Sequence, residues 1–309
     1  MVTVQSISNY DEQHPSAVTI GTFDGVHVGH RTILERLIKN AEAKGLRSTV
    51  LTFFPHPRMV LQKDADIKLL NTMEEKAKIL EEMGLDYLII HPFTKEFSRL
   101  SATAFVRDIL VNRLKTKKIV IGYDHRFGRN RNANINDLII FGNTFDFEVE
   151  EISAQEIDQV SVSSTKIRKA LEEGDIDIAN KYLGYPYMLT GTVKKGKGLG
   201  RQMGFPTANL ELGESYKLIP KNGVYVVKSN LAGSPIFGMM NIGFNPTVSG
   251  TEKSIEVHFF EFDKDLYDSN IQIDILERLR DEHKFGSVEA LKSQLLKDKA
   301  TSLKILAAR

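Results

Sequence analysis

The chain has no cysteine among its 309 residues, which excludes disulfides, thiol nucleophiles and thiolate metal sites. No apolar run approaches the length of a membrane span, and the N-terminal stretch MVTVQSISNYDEQHP lacks a basic region followed by an apolar one. The expectation is a cytoplasmic location with no membrane partner. An excess of one charge sign is missing too: 41 Lys and Arg against 40 Asp and Glu leave a formal charge of +1, which argues against a dedicated nucleic-acid binder. Low-complexity segments and internal repeats are also absent. What is there is an ordinary globular composition, 41% hydrophobic and 26% charged, in a length that suits two domains with a core each.

The first half alternates strand and helix patterns. A buried strand over 17–21 runs into a glycine-bearing loop and then into Ile33, Leu34, Leu37 and Ile38 at helical spacing. "RSTVLTFFP" (47–55), "DYLIIHPF" (86–93) and "KKIVIGYD" (117–124) read as further strands. Thr72 with Glu75 makes a capping box for a helix through Met83 that Gly84 ends, and Ala104 to Leu114 has a helix pattern. Continuous apolar strands between helices predict an α/β Rossmann-like domain, a parallel sheet with helices on both faces and a ligand beyond the strand C-termini. Three unusual stretches lie there: residues 21–30, "FPHPR" (54–58) and "GYDHRFG" (122–128). After Gly184 the pattern changes to short alternating segments punctuated by Gly, Pro and Asn. These predict an antiparallel β-barrel, with a helix from Val288 to Ala307 packed on it. The expected domains are therefore 1–184 and 185–309.

Four stretches carry the chemistry. "GTFDGVHVGHR" (21–31) has two readings: turn glycines with surface histidines, or a helix N-terminus that binds phosphate with His27 and His30 as extra donors. A metal reading is weaker, because two histidines are too few ligands and no HExxH spacing occurs. "SVSSTKIRKAL" (161–171) places Ser163, Ser164 and Thr165 before Arg168, which suits either a plain N-cap or a second phosphate-binding helix start. "GTVKKGKGLGRQMGFPTANL" (191–210) interleaves Lys194, Lys195, Lys197 and Arg201 with Gly196, Gly198, Gly200 and Gly204, yet lacks the GK[ST] ending of a Walker sequence. Thr207 and Asn209 flank Ala208 in an extended stretch, offering hard oxygen ligands on one side for Mg²⁺. In "SIEVHFFEF" (254–262) Glu256 alternates with apolar residues and by default faces solvent.

These stretches together resemble a known family. GTFDGVHVGH contains the HxGH of the nucleotidyltransferase superfamily and SSTKIR looks like its partner motif. With FFPHP and GYDHRFG they resemble the FMN adenylyltransferase module of prokaryotic bifunctional riboflavin kinase/FAD synthetases. PTAN, NGVY (222–225), NIGFNPT (241–247) and EVH match riboflavin kinases. From about residue 15 to the end, the resemblance implies two successive steps, riboflavin to FMN and FMN to FAD, with ATP as donor, Mg²⁺ as its metal and pyrophosphate released in the second. It implies that His27 and His30 contact the ATP phosphates, that His30 acts in the transition state, and that Arg168 is catalytic with it. Gly21, Phe23, Asp24 and Gly29 would shape the nucleotide pocket. Ser163, Ser164, Thr165 and Arg168 would hold phosphates, and Asp124 would meet nucleotide or flavin. Phe54, Pro55, His56 and Pro57 would face the isoalloxazine.

In the second domain it implies ATP binding by Gly191, Lys194, Gly196, Gly198, Gly200, Arg201, Thr207 and Asn209. Thr207 and Asn209 would hold the metal, Glu256 would act as base on the ribityl hydroxyl, and Glu256, Arg280 and Glu282 would line the flavin. One departure stands out: where the family shows LRPE, this chain has "LRDEHKF", with Asp281 at the proline position, so the shape of that turn does not carry over. The competing readings are a nucleotidyltransferase of other specificity, which leaves PTAN and EVH without a role, and a flavin-binding regulator without catalysis, although Glu256, His30 and Arg168 are all present. The expected partners are riboflavin, FMN, FAD and ATP, in a monomer or weak homo-oligomer.

Overall fold

Six strands form the sheet of the first half: β1 (Val2–Gln5), β2 (Ser16–Ile20), β3 (Arg47–Phe54), β4 (Tyr87–Pro92), β5 (Thr116–Gly122) and β6 (Glu148–Ile152). They pair in parallel in the order β1-β4-β3-β2-β5-β6. The structure is a computed structural model and describes residues 1–62, 66–157, 162–196, 199–231, 233–247 and 250–309. Between the strands run α1 (Val28–Lys44), α2 (Pro57–Leu61), α3 (Met73–Glu82), α4 (Ala102–Ala104) and α5 (Ile135–Phe145), and α6 (Ala154–Ile157) follows β6. From β2 the chain winds outward through β3 and β4, and from β5 it winds the other way. Because parallel crossovers are right-handed, that reversal puts helices on both faces and opens a crevice beyond the ends of β2 and β5.

The local signals explain most of these elements. The five residues of β2 are all buried, as a central parallel strand requires. Thr72 and Glu75 form the expected capping box of α3, and Gly84 follows it with φ 87°. Gly45 stops α1 in the left-handed region, its φ being 62°. The helix pattern of Ala104–Leu114 takes a different form: α4 passes directly into a π-helical stretch, Phe105–Val111, which buries Phe105, Val106 and Leu110. A wider turn shifts the apolar stripe relative to a regular helix. Strands β1 and β6 have no apolar run to announce them, being mostly exposed or half-buried, and pairing with β4 and β5 makes them strands.

The described chain forms two compact units, Met1–Ser164 and Thr165–Arg309. Packing therefore divides the chain before α7 (Ser164–Glu173) has completed its first turn, whereas the pattern changes from helix to strand only near 184. The second unit includes most of α7 and all of α8 (Ile176–Leu183), whose Ile167, Leu171, Ile176 and Leu183 are buried. Asn180 Nδ2 donates to Ile275 O at 2.9 Å, and Lys221 N donates to Leu171 O at 2.9 Å, so both helices are tied to barrel segments.

The barrel itself comprises β7 (Tyr187–Lys194), β8 (Ala208–Glu211), β9 (Gly223–Leu231), β10 (Ser234–Thr247), β11 (Gly250–Phe259) and β12 (Asn270–Arg280), with α9 (Leu199–Gln202) in the loop before β8. It closes in the order β10-β11-β8-β7-β12-β9, every pair antiparallel. β8, only four residues long, joins β7 to β11 and completes the ring. The final helix α10 (Val288–Ala307) lies outside, over a small apolar cluster of Phe205, Met239 and Phe260 that Leu295 and Leu306 cover. Arg280 clamps it with a bidentate pair to the buried carboxylate of Asp298, Nη2 to Oδ2 at 2.7 Å.

Candidate functional site

In the first unit, β2 delivers the glycine loop straight to the start of α1. His27 is the N-cap: its Nδ1 accepts from His30 N at 3.3 Å, so the proton of the neutral ring sits on Nε2. The two imidazoles stack, with centroids 3.6 Å apart and 17° between planes, and Phe23 meets His30 edge-on at 5.2 Å. Burial pushes the His27 pKa down to about 4 against the pull of Asp24. Burial, then the neighbouring His27 and Lys76, holds His30 well below its usual value. Both rings are therefore neutral near pH 7, and the enclosed Nδ1 of His30 has no hydrogen-bond partner among the described residues.

The loop is held in an unusual shape. Phe23, Gly25 and Val26 have φ of 45°, 88° and 35°, and a left-handed β-branched valine is a strained residue. Gly21 packs against this loop closely: a Cβ there would lie 3.0 Å from the Phe23 ring, which would have to shift. Asp24 is buried; its Oδ1 accepts from Leu70 N at 2.9 Å, and its carbonyl accepts from Ser164 Oγ at 2.9 Å. Ser164 thus joins the loop directly, with Ser163 half-buried beside it in sequence. Thr165, exposed, and Arg168, half-buried, lie in the opening turns of α7 within the second unit. Gly29 is buried inside the first turn of α1.

Beyond β3, the Phe54–Pro55 peptide is cis, Phe54 is half-buried with its carbonyl accepting from Phe93 N at 3.3 Å, and His56 caps the short α2 that Pro57 opens. Asp124 is exposed after β5. A connected set of rings runs along the same end of the sheet: Phe53–Phe97 at 5.5 Å, Phe97–Phe105 at 6.2 Å and Phe105–Phe127 at 6.1 Å. Phe53 and Phe127 lie within the FFPHP and GYDHRFG stretches, whereas Phe97 and Phe105 fall in no stretch quoted above. Phe53 sits inside β3, Phe97 opens a short 3₁₀ turn and Phe105 starts the π-helical stretch, so no local pattern joins them.

In the second unit, register assembles the site. Ile255, Val257 and Phe259 are buried inward, so Glu256 lies on the outer face of β11, half-buried. It pairs across to Asn209 on β8 and to Asn241 on β10, which puts three polar side chains in one row over three strands. The glycine loop is pressed onto this row. A Cβ at Gly196 would collide with the Asn209 amide, and one at Gly200 would meet the Phe205 carbonyl and the Thr207 methyl, the latter at 3.4 Å. Gly191 is buried where β7 crosses the Glu211 carbonyl; Lys194 reaches Asp268 at 3.3 Å, and Arg201 is exposed. Gly198 lies outside the described residues.

His258, two residues after Glu256 and on the same face, accounts for the position of Thr207: its Nδ1 is 2.9 Å from Pro206 O, and burial lowers its pKa. Arg280 is committed to Asp298 as described. Glu282 Oε1 accepts from Phe244 N at 3.2 Å and Oε2 from Asn222 Nδ2 at 3.1 Å, which ties the NGVY and NIGFN stretches together and requires glycine at 243. Asp281 pairs with Arg278 at 2.6 Å and with Lys221 at 3.3 Å.

No group of three or more His, Asp or Glu among the described residues is arranged to hold a metal. The oxygens of Thr207 and Asn209 fit a cation that takes its other ligands from phosphate and water.

Residues 9–166 match the family model of FAD synthetase, and residues 183–306 match that of riboflavin kinase. Curated relatives described as bifunctional riboflavin kinase/FMN adenylyltransferase include one from Listeria monocytogenes, 40% identical over 91% of this chain and 89% of its own length. Another from Escherichia coli is 35% identical over 98% of this chain and 97% of its own length. A solved structure described as a macrolide-efflux protein from Streptococcus pneumoniae is 31% identical, with a TM-score of 0.88 over 98% of this chain and 99% of that one. That description is of that protein; no helix among the described residues here is long and apolar enough to cross a membrane. With two consecutive family matches spanning most of its length, and bifunctional relatives aligned over about nine-tenths or more of both chains, the chain belongs to the bifunctional riboflavin kinase/FMN adenylyltransferase family.

Proposed function

We propose that this chain phosphorylates riboflavin to FMN and then adenylylates FMN to FAD, with ATP as donor in both steps. The single observation that carries the reading is the match of both families to successive segments of one chain, 9–166 and 183–306. Domain 1–184 performs adenylyl transfer and domain 185–309 phosphorylation.

In adenylyl transfer, a phosphate oxygen of FMN forms a bond to the α-phosphorus of ATP as the bond from that phosphorus to the bridging oxygen breaks and pyrophosphate leaves. No covalent enzyme intermediate is needed, so alignment and charge stabilisation supply most of the acceleration. The start of α1 and the Nε2–H of His27 donate to the triphosphate, and His30 stabilises the charge that develops on the α-phosphate. Arg168, Ser163, Ser164 and Thr165 hold the remaining phosphates. Gly21, Phe23, Asp24 and Gly29 shape the nucleotide pocket, with Asp124 beside it. The flat isoalloxazine needs apolar walls, which Phe54, Pro55, His56 and Pro57 supply.

In phosphorylation, Glu256 takes the proton of the ribityl hydroxyl as its oxygen attacks the γ-phosphorus and ADP leaves. Gly191, Lys194, Gly196, Gly198, Gly200 and Arg201 enclose the phosphates. Thr207 and Asn209 would hold Mg²⁺, which bound with ATP would neutralise charge on the phosphate oxygens. Arg280 and Glu282 line the flavin side, Glu282 while tying the NGVY and NIGFN stretches together and Arg280 while clamping α10.

The near-zero formal charge supports small-molecule partners without nucleic acid, and the chain is proposed as a cytoplasmic monomer or weak homo-oligomer. The test is to incubate the purified chain with riboflavin, ATP and Mg²⁺ and resolve the products over time. FMN should precede FAD, with pyrophosphate appearing alongside FAD; a preparation that binds flavin but forms neither product would overturn the reading.

A further inference from the structure

One buried cation of the first unit has no part in the mechanism above. Lys76, in the first turn of α3, is 2% exposed, although lysine is rarely enclosed unless its ammonium is paired. Its Nζ donates to the carbonyl of Thr22 at 2.6 Å, and that same carbonyl accepts from Thr52 Oγ1 at 3.3 Å. Thr22 is the residue immediately before the strained sequence Phe23 to Val26, whose positive φ angles persist only while their surroundings over-determine them. The brace is two-pronged: the segment leading into α3 also supplies Leu70 N to Asp24 Oδ1 at 2.9 Å. The charged and titratable groups that act on the ammonium are Asp24 from the loop and His30 from α1, with Glu75 adjacent in sequence on α3 itself. Asp24 favours the ammonium, while the ammonium disfavours protonation of His30.

We propose that Lys76 is a positioning residue for adenylyl transfer: its ammonium holds the Thr22 carbonyl, and with it the loop that presents His27 and His30, and places a fixed positive charge behind the His30 ring. The proposal rests on the reading of His30 as the α-phosphate contact. A lysine is suited to this place because its single compact charge can satisfy a carbonyl and a carboxylate without the space a guanidinium needs. Burial pushes the Lys76 pKa down to about 8 against the pull of Asp24, so the ammonium is present below that pH and lost above it.

The test uses the full chain with Lys76→Met, Lys76→Arg and His30→Ala, measuring FAD synthesis from FMN between pH 5 and pH 10, FMN formation from riboflavin as an internal control, and the histidine ring titrations by NMR. Lys76→Met should lower kcat for FAD synthesis about tenfold to a hundredfold, with a smaller change in KM and unchanged FMN formation. The His30 ring should titrate at higher pH in that variant and return towards its original position in Lys76→Arg, which should also regain part of the rate. In the unaltered chain kcat/KM for FAD synthesis should fall above about pH 8, and Lys76→Arg, whose charge persists, should lack that limb. A folded Lys76→Met chain with kcat within about twofold of the original, or a slow one whose His30 titration has not moved, would overturn the proposal. If Lys76→Met fails to fold, as loss of histidine dispersion would reveal, the alkaline limb decides: its persistence in Lys76→Arg is equally fatal. Full FAD synthesis by His30→Ala would instead overturn the underlying reading of the site.

Discussion

In the first unit the loop before α1 encloses Phe23, Asp24 and His27, the last two being 2% and 6% exposed, whereas in the second Thr207, Asn209 and Glu256 are all half-buried at the outside of a barrel. The contrast follows from the sheets. A parallel sheet covered on both faces leaves no side-chain row free for polar chemistry, so its site forms at strand ends, from loops and helix starts. An antiparallel barrel has an outward row on every strand, and cross-strand register alone can bring Asn209, Glu256 and Asn241 together. The first site is therefore tuned by desolvation, which keeps its histidines neutral. The second is tuned by close backbone approach, with Gly196 and Gly200 laid against the two oxygen-bearing side chains.

If the two sites are as separate as this contrast makes them, substitutions should divide the activities cleanly. Glu256→Gln should give the largest effect, a loss of about 10²-fold to 10⁴-fold in FMN formation, the usual worth of a general base, with FAD synthesis from supplied FMN near normal. Full kinase activity in the folded variant would remove Glu256 from the mechanism. His30→Ala should do the reverse, lowering kcat for FAD synthesis by about 10²-fold while KM changes less. A variant altered only in KM would show that His30 binds ATP equally in ground and transition states.

The boundary between the units can be sharpened with two C-terminal fragments. The one from Thr165 carries most of α7 and all of α8, the one from Tyr185 carries neither, and both contain every residue proposed for phosphorylation. Each of Ile167, Leu171, Ile176 and Leu183 is buried, which at about 1.5–3 kcal/mol per fully buried side chain makes the longer fragment the more stable by several kcal/mol. Both should make FMN and no FAD. Equal denaturation midpoints would mean that the barrel stands without the two helices, and a folded fragment that binds riboflavin and Mg-ATP yet makes no FMN would mean that the kinase borrows groups from the first unit. The smallest effect is expected from Gly196→Ala. It should displace the Asn209 amide, raising KM for Mg-ATP in FMN formation about tenfold while the melting temperature barely changes. An unaltered KM would detach the glycine loop from the metal-binding role of Asn209.

What could be read ahead of the structure was what neighbours in sequence decide. The Thr72–Glu75 box, the stops at Gly84 and Gly184, and the alternation around Glu256 each involve groups a few residues apart. Strands β1, β6 and β8 were not read as strands, because their pairing partners lie in other segments and their own side chains form no apolar run. Lys76 escaped notice for the same reason: within "TMEEKAKIL" it looks like one more solvated helix charge, and only the fold carries it to Thr22, 54 positions away. Arg280 was read as a flavin neighbour, while the structure commits its guanidinium to Asp298 of α10.

The amino-acid sequence by itself determined the two kinds of architecture, their order and the motifs each would carry, since helix caps, strand alternation and glycine turns are local choices of the backbone. Only the tertiary structure decided which polar groups meet, where α7 and α8 pack and how deeply each side chain is buried. Those outcomes depend on closing loops tens of residues long, and on the water that packing removes, and neither is written in any short stretch of chain.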